Sequence, residues 1–233
     1  MIIIDPGHGG WDPGGGSNIY FKEKDITKKI SDYQKKRFDE LNINSVLVRQ
    51  SDETLSPNAR INKIAEIGAA PNDILISNHI NNGGSSGGEV IFAIRTDKTL
   101  PNLIAKGLSD NGVPIRNVYQ RVGGSGQDYY FILRETMPNN AMIIEYGFAD
   151  NDADVYRIMY QWPNLAESVV KSIANYLNVP YSPPKSFTYI VKPDDSLFSI
   201  SNRFDIPVNK IKEDNNLTSD VIYPLAELII NRK

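Results

Sequence analysis

The chain of 233 residues contains two histidines, and each follows an apolar run with two or three residues between. His8 lies in "IIIDPGHGG" at 2–10, where three isoleucines run into Asp5, Pro6 and Gly7. His79 closes "DILISNH" at 73–79. In an open α/β sheet ligands bind at the carboxyl ends of the strands, and both histidines are placed just past such an end. Two imidazoles at one sheet edge point to a metal site, and a catalytic zinc takes three protein ligands and leaves a fourth position open. The chain has no cysteine and no third histidine, so the missing ligand has to be a carboxylate. Asp5 precedes the turn and is expected to point back into the sheet and brace it. Glu23, in "YFKEKDITKK", opens a long helical pattern. Taken alone it reads as a charge complementing the helix dipole, although the glycine-rich loop 9–20 is free to fold the helix start beside His8. Glu145, in "MIIEYGF", is a carboxylate at a strand end among apolar residues. Burial raises the pKa of such a group and suits it to acid–base work. As a purely structural group it would need a cationic partner such as Arg60 or Arg134.

These residues need a scaffold. Residues 1–177 alternate short apolar runs with helical patterns, with strands predicted at 2–5, 44–50, 73–79, 88–94, 129–134 and 141–148. The first helix puts Ile26, Ile30, Tyr33, Arg37 and Leu41 on one face, with Arg37 snorkelling. Further helices are predicted at 58–67, 98–111, 152–160 and 164–177. The βαβα order predicts an α/β fold, a mostly parallel sheet flanked by helices on both faces. Three prolines in "NVPYSPPKS" mark 178–186 as a stiff linker that holds two pieces apart. Residues 187–233 then read as a small β-α-α-β module, with strands "FTYIV" and "AELIINR" around two short helices.

Composition removes several classes of function. A net charge of −3 with no basic stripe excludes a nucleic-acid partner. No apolar run approaches the roughly 18 residues of a membrane span, so no membrane insertion is expected. The absence of cysteine excludes disulfides, thiolate metal sites and a Cys nucleophile. The chain enters a strand directly after Met1, which leaves no room for a secretory signal peptide.

Four blocks carry a family resemblance: "IIIDPGHGGWDPGG", "FKEKDI", "LISNHINN" and "ILRETMPNNAMIIEYGF". In this order across 1–177 they resemble the signatures of the zinc N-acetylmuramoyl-L-alanine amidases of the Amidase_3 type. The resemblance implies a Zn2+ ion on His8, Glu23 and His79, with Glu145 as the catalytic carboxylate. It also implies hydrolysis of the amide between N-acetylmuramic acid and L-alanine in peptidoglycan. Where the family often has Asn-Ala after its second histidine, Asn81 and Asn82 stand here. Asn81, Arg60 and Arg134 are candidates for substrate or supporting contacts.

The stretch "YIVKPDDSLFSISNRFDIPVNKIKEDNNLTSDVIYPLAELII" resembles a LysM domain, a glycan-binding module. The resemblance places sugar contacts on Asp194, Asp195, Ser196, Asn216, Ile222 and Tyr223. The family's Pro-Gly-Asp is Pro193-Asp194-Asp195 here, and its Pro-Gly-Gln is Pro224-Leu225-Ala226, so each loop loses a glycine. An amidase with a wall-binding module and no signal peptide resembles a phage endolysin, cytoplasmic until released through a holin-like opening. A trimmed, exported autolysin and a spore-associated amidase are the alternative origins. Two other functions compete: a wall-binding protein that has lost activity, and a different zinc hydrolase such as a peptidase or deacetylase. The chain has neither an HExxH helix nor a histidine pair at helical spacing.

Overall fold

The computed structural model describes residues 1–231; the last two residues of the expected module, 232 and 233, lie outside the described residues. Six strands form one sheet: β1 (Ile2–Pro6), β2 (Ser45–Leu47), β3 (Ile74–Asn81), β4 (Gly88–Phe92), β5 (Ile115–Tyr119) and β6 (Asn140–Phe148). Their order across the sheet is β2-β1-β3-β6-β4-β5, parallel throughout except where β4 runs against β6. After β1 the chain first crosses to β2 on one side, and β3 then returns on the other side. The crevice between β1 and β3 is therefore a topological switch point, where open α/β sheets place their ligands.

Period-two alternation divides the core. Ile2, Ile4, Ile74, Ile76, Met142 and Ile144 face the helices α1 (Glu23–Glu40), α3 (Thr99–Asp110) and α5 (Asp152–Tyr176). Ile3, Leu75, Ile91 and Ile143 face α2 (Pro57–Glu66) and α4 (Phe131–Arg134). Both faces of the sheet are covered, so the central strands are apolar on both sides.

Three expectations for the larger domain change. The run 129–134 is not a strand: it turns at Tyr130 into the short helix α4, burying Ile132 and Leu133. A six-residue apolar run does not distinguish strand from helix by periodicity, and the sheet edge is taken instead by β5, whose polar Arg116 and Asn117 interrupt its apolar pattern. The two helices expected at 152–160 and 164–177 are one, with Pro163 inside α5. Burial of Trp162, Leu165 and Val169 against the sheet outweighs the roughly 3 kcal/mol cost of an interior proline. Arg37 does not snorkel. Its guanidinium is buried and pairs with Glu167, Nε to Oε2 at 2.9 Å.

Residues 186–231 form the small module: β7 (Ser186–Ile190), α6 (Leu197–Phe204), α7 (Val208–Asp214) and β8 (Glu227–Asn231), with β7 and β8 antiparallel. The linker before it does not hold it away. Tyr181 donates to Glu167 at 2.8 Å and Arg37 donates to the Ser182 carbonyl at 2.8 Å. Ile190 is buried within the larger core, and Lys29 pairs with Glu227 at 2.6 Å. Prolines stiffen a chain without dictating its direction, and here the direction is along α1 and α5.

Both positions that lost a glycine adopt left-handed backbone, Asp194 at φ 69° and Leu225 at φ 71°. Aspartate tolerates this region through local hydrogen bonding, whereas leucine is strained there by roughly 1–2 kcal/mol. Leu225→Gly is therefore expected to stabilise the protein by about 1 kcal/mol, allowing for the extra chain entropy of glycine. The denaturant midpoint should rise with an unchanged m-value. A lower midpoint would mean that the Leu225 side chain contributes more packing than its backbone costs.

Candidate metal and catalytic site

The switch-point crevice collects the sequence candidates. β1 ends at Pro6, and the chain turns through Gly7 into His8, which sits at φ 62°. His79 lies near the carboxyl end of β3 and is the register partner of Glu145 on β6. Glu23 is the first residue of α1 and is buried. Loop 9–20 folds over it as expected: Gly16 N–H donates to Glu23 Oε2 at 2.8 Å, and Ile80 N–H donates to Oε1 at 2.9 Å. Gly14 packs so closely on this carboxylate, at φ 91°, that a side chain there would collide with it.

Glu23 Oε1 stands 3.2 Å from His8 Nε2 and 3.1 Å from His79 Nδ1. The two rings meet edge to face at 5.0 Å between centroids. On its far side, His8 Nδ1 is 2.8 Å from Asp12 Oδ2. A carboxylate only accepts, so Asp12 requires the proton on Nδ1 and leaves the Nε2 lone pair facing Glu23. Glu23 Oε1 and the His8 Nε2 lone pair thus face each other, with His79 Nδ1 beside them, and a proton or a cation between them satisfies both. The electrostatics show the same demand. Burial alone would lower the His8 pKa, but Glu23 and then Asp12 overcome this and push it up to about 9. His79 is likewise raised against its burial, chiefly by Glu23. Burial would raise the Glu23 carboxyl, yet the two histidines hold it well below the usual range. Tetrahedral zinc with bonds of about 2.0–2.1 Å separates its ligand atoms by roughly 3.3 Å. The donor types of His8, Glu23 and His79 fit that ion, the two distances to Glu23 are close to this separation, and the three ligand atoms all lie within 4.8 Å of one another.

Glu145 shares one cavity with His8, His79 and Asp12, enclosed further by Leu55, Phe131 and Ile132. Its Oε2 is buried without a hydrogen-bond partner, and burial pushes its pKa up to about 7. Neither arginine considered as its partner reaches it. Arg60 is bound to Asp5 and to the Pro6 and His8 carbonyls, and Ser77 donates to Asp5 at 2.6 Å. Asp5 thus braces the sheet, as expected, and Arg60 holds the histidine turn from beneath. Arg134 donates to the Asp128 and Tyr129 carbonyls and pairs with Glu135. Asn81 donates to the buried Glu89, which also pairs with Arg116.

In the small module Asp194, Ser196, Asn216 and Tyr223 are exposed, whereas Ile222 is half-buried against its core. Asp195 is engaged internally, accepting from Tyr189 Oη at 2.5 Å and from Lys192 N–H at 2.9 Å. Ser196 caps α6 in a capping box with Ser199.

Asp12 and Glu89 were not singled out from sequence. Asp12 carried one signal, a carboxylate four residues beyond a candidate ligand within a glycine-rich turn. Glu89 carried none, because only the antiparallel register of β4 sets it beside Glu145.

Comparison with known proteins gives the family and the fold. A family model described as N-acetylmuramoyl-L-alanine amidase matches residues 2–178, and one described as LysM domain matches residues 189–231. The chain is 28% identical over 211 residues to N-acetylmuramoyl-L-alanine amidase CwlM of Bacillus licheniformis, covering 84% of this chain and 75% of that protein. It is 30% identical over 195 residues to a sporulation-specific N-acetylmuramoyl-L-alanine amidase of Bacillus subtilis, covering 79% and 69%. Among solved structures, Cwp6 from Clostridium difficile superposes with a TM-score of 0.67 at 26% identity, over 75% of this chain and 28% of Cwp6.

Proposed function

The chain belongs to the N-acetylmuramoyl-L-alanine amidase family and carries a LysM domain, and from that premise we propose that His8, Glu23 and His79 hold a zinc ion beside the acid–base residue Glu145. The protein is a peptidoglycan amidase, and the bond it hydrolyses joins N-acetylmuramic acid to L-alanine. Zinc, when bound, supplies Lewis acidity, polarising a carbonyl and lowering the pKa of water toward 7.

The remaining work falls to the chain. Asp12 fixes the His8 tautomer and ring orientation through Nδ1. Gly16 and Ile80 N–H groups lock the Glu23 carboxylate in place. Glu145, with one oxygen free of any partner, accepts a proton from the attacking water and returns it to the departing amine. The apolar wall of Leu55, Phe131 and Ile132 strengthens these interactions by keeping bulk water away. The observation that carries the reading is this unpartnered carboxylate in the same cavity as the three converging ligand atoms.

Residues 1–177 are proposed as the catalytic unit, 178–186 as the connection and 187–233 as the wall-retaining unit. No described helix is long and apolar enough to cross a membrane, and the protein acts at the cell wall. Release from the cytoplasm through a holin-like opening is the proposed route.

Product analysis tests the reaction. Digestion of a muropeptide should give a stem peptide with free amino-terminal L-alanine and a glycan with an intact lactyl carboxylate. A new amino terminus within the stem would identify a peptidase instead, and released acetate a deacetylase. An intact substrate would leave a binding protein.

A further inference from the structure

Trp11 lies one residue from Asp12, and its indole is 95% exposed. A free aromatic on a mobile loop would mean little, but this one is mounted on a rigid turn. Gly9 and Asp12 exchange backbone hydrogen bonds at 3.0 and 3.1 Å. Gly10 N–H donates to Asp52 at 2.7 Å, Trp11 N–H donates to Thr54 Oγ1 at 2.9 Å, and Lys24 Nζ donates to the Gly10 carbonyl at 2.8 Å. Every backbone N–H from Gly9 to Asp12 is therefore used, while the indole makes no ring contact or hydrogen bond among the described residues. The same turn borders the catalytic cavity, because Asp12, next to Trp11, and Leu55, next to the anchoring Thr54, both line it.

We infer that Trp11 is a stacking platform for a sugar ring of the glycan strand, positioning the muramic acid end of the substrate at the metal site. The inference rests on the amidase reading given above. The lactyl carbonyl has to reach the His8–Glu23–His79 cup, so the pyranose that bears it lies one short ether arm from that cup, whose His8 stands three residues before Trp11 at the start of the same turn. An indole offers a broad, stiff apolar face with little conformational entropy to lose, and the C–H face of a pyranose is its complement. A flat, sequence-neutral platform suits a repeating polymer.

The chain has two tryptophans, and Trp162 is buried, so emission from the exposed indole reports on position 11. The test titrates the zinc-loaded full chain with a peptide-free tetrasaccharide of alternating N-acetylglucosamine and N-acetylmuramic acid. In parallel, muropeptide hydrolysis and zinc content are measured for wild type, Trp11→Ala and Trp11→Phe. Saturable quenching or a blue shift is expected in wild type and not in Trp11→Ala. The alanine variant should raise KM about tenfold, as loss of one well-placed aromatic contact does. Phenylalanine should restore much of that loss, and zinc content should not change. Unaltered emission with an unaltered KM would overturn the inference. So would a fall in kcat with loss of zinc, which would mean that Trp11 merely supports the His8 turn. Failure of wild type to cleave the muropeptide would refute the amidase reading instead, while the emission titration still decides whether Trp11 meets glycan.

Discussion

Glu145→Gln is expected to lower muropeptide hydrolysis by at least about a hundredfold, leave zinc content unchanged, and make the metal-free protein more stable at pH 8. The loss of activity follows from chemistry: an amide side chain neither accepts nor returns a proton at neutral pH. The gain in stability follows from burial. Glu145 lies in a cavity with an unpartnered oxygen, and its carboxyl is pushed up to about 7 from an ordinary value of 4.5. Between those two values the folded chain holds a proton that the unfolded chain has released, so stability falls as pH rises and stays reduced above about 7. The difference corresponds to roughly 3 kcal/mol at most. Glutamine, of similar shape and without charge, removes this loss. Urea unfolding of metal-free protein at pH 8 should show the gain, and the same comparison at pH 4.5 should show little. A variant with lost activity and no stability gain at pH 8 would place Glu145 in a solvated, paired environment and defeat the argument. The paired signs matter, because a residue kept for packing would lose stability on substitution and one kept for catalysis gains it.

Much of this site was legible before the fold because the relevant signals are local. His8 and His79 each follow an apolar run, and a parallel sheet brings the ends of such runs to one edge. Glu145 then falls opposite His79 by simple register of β3 on β6. Glu23 was ambiguous for a physical reason. Its position at a helix start satisfies the helix dipole equally well, and only the path of a glycine-rich loop decides what it faces. What stayed hidden depends on contacts between distant segments. Pro163 ends a helix in isolation but not when Trp162 and Leu165 are buried on either side of it. The linker prolines suggested separation, yet Arg37, Glu167 and Ile190 draw the linker and β7 onto the larger domain. Asp12 looked like one more polar residue in a turn until the His8 ring was oriented beside it.

Metal retention should rank the carboxylates by the role proposed for each. Glu23→Ala is expected to weaken zinc binding by at least about a hundredfold, at or beyond the upper end of what loss of a supporting group costs. The variant loses more than one ligand atom. The Gly16 and Ile80 N–H groups lose their buried acceptor, and the two imidazoles lose the anion that draws them together. Asp12→Ala removes only the hydrogen bond to His8 Nδ1, so His8 can still offer Nε2 but its tautomer and ring angle are no longer enforced. Its cost should fall within about ten- to a hundredfold. Glu145, which lines the cavity but is not among the three residues whose ligand atoms converge, should cost little when replaced. Competition between each variant and a chelator of known affinity, followed by metal analysis after dialysis, gives the three dissociation constants directly. The expected order of loss is Glu23, then Asp12, then Glu145. If Glu23→Ala and Asp12→Ala lost zinc equally, Glu23 would be acting as a second support for the histidines rather than as a ligand. If Glu145→Gln lost it most, the roles of the two glutamates would be exchanged, and the proton-transfer role assigned to Glu145 would pass to Glu23.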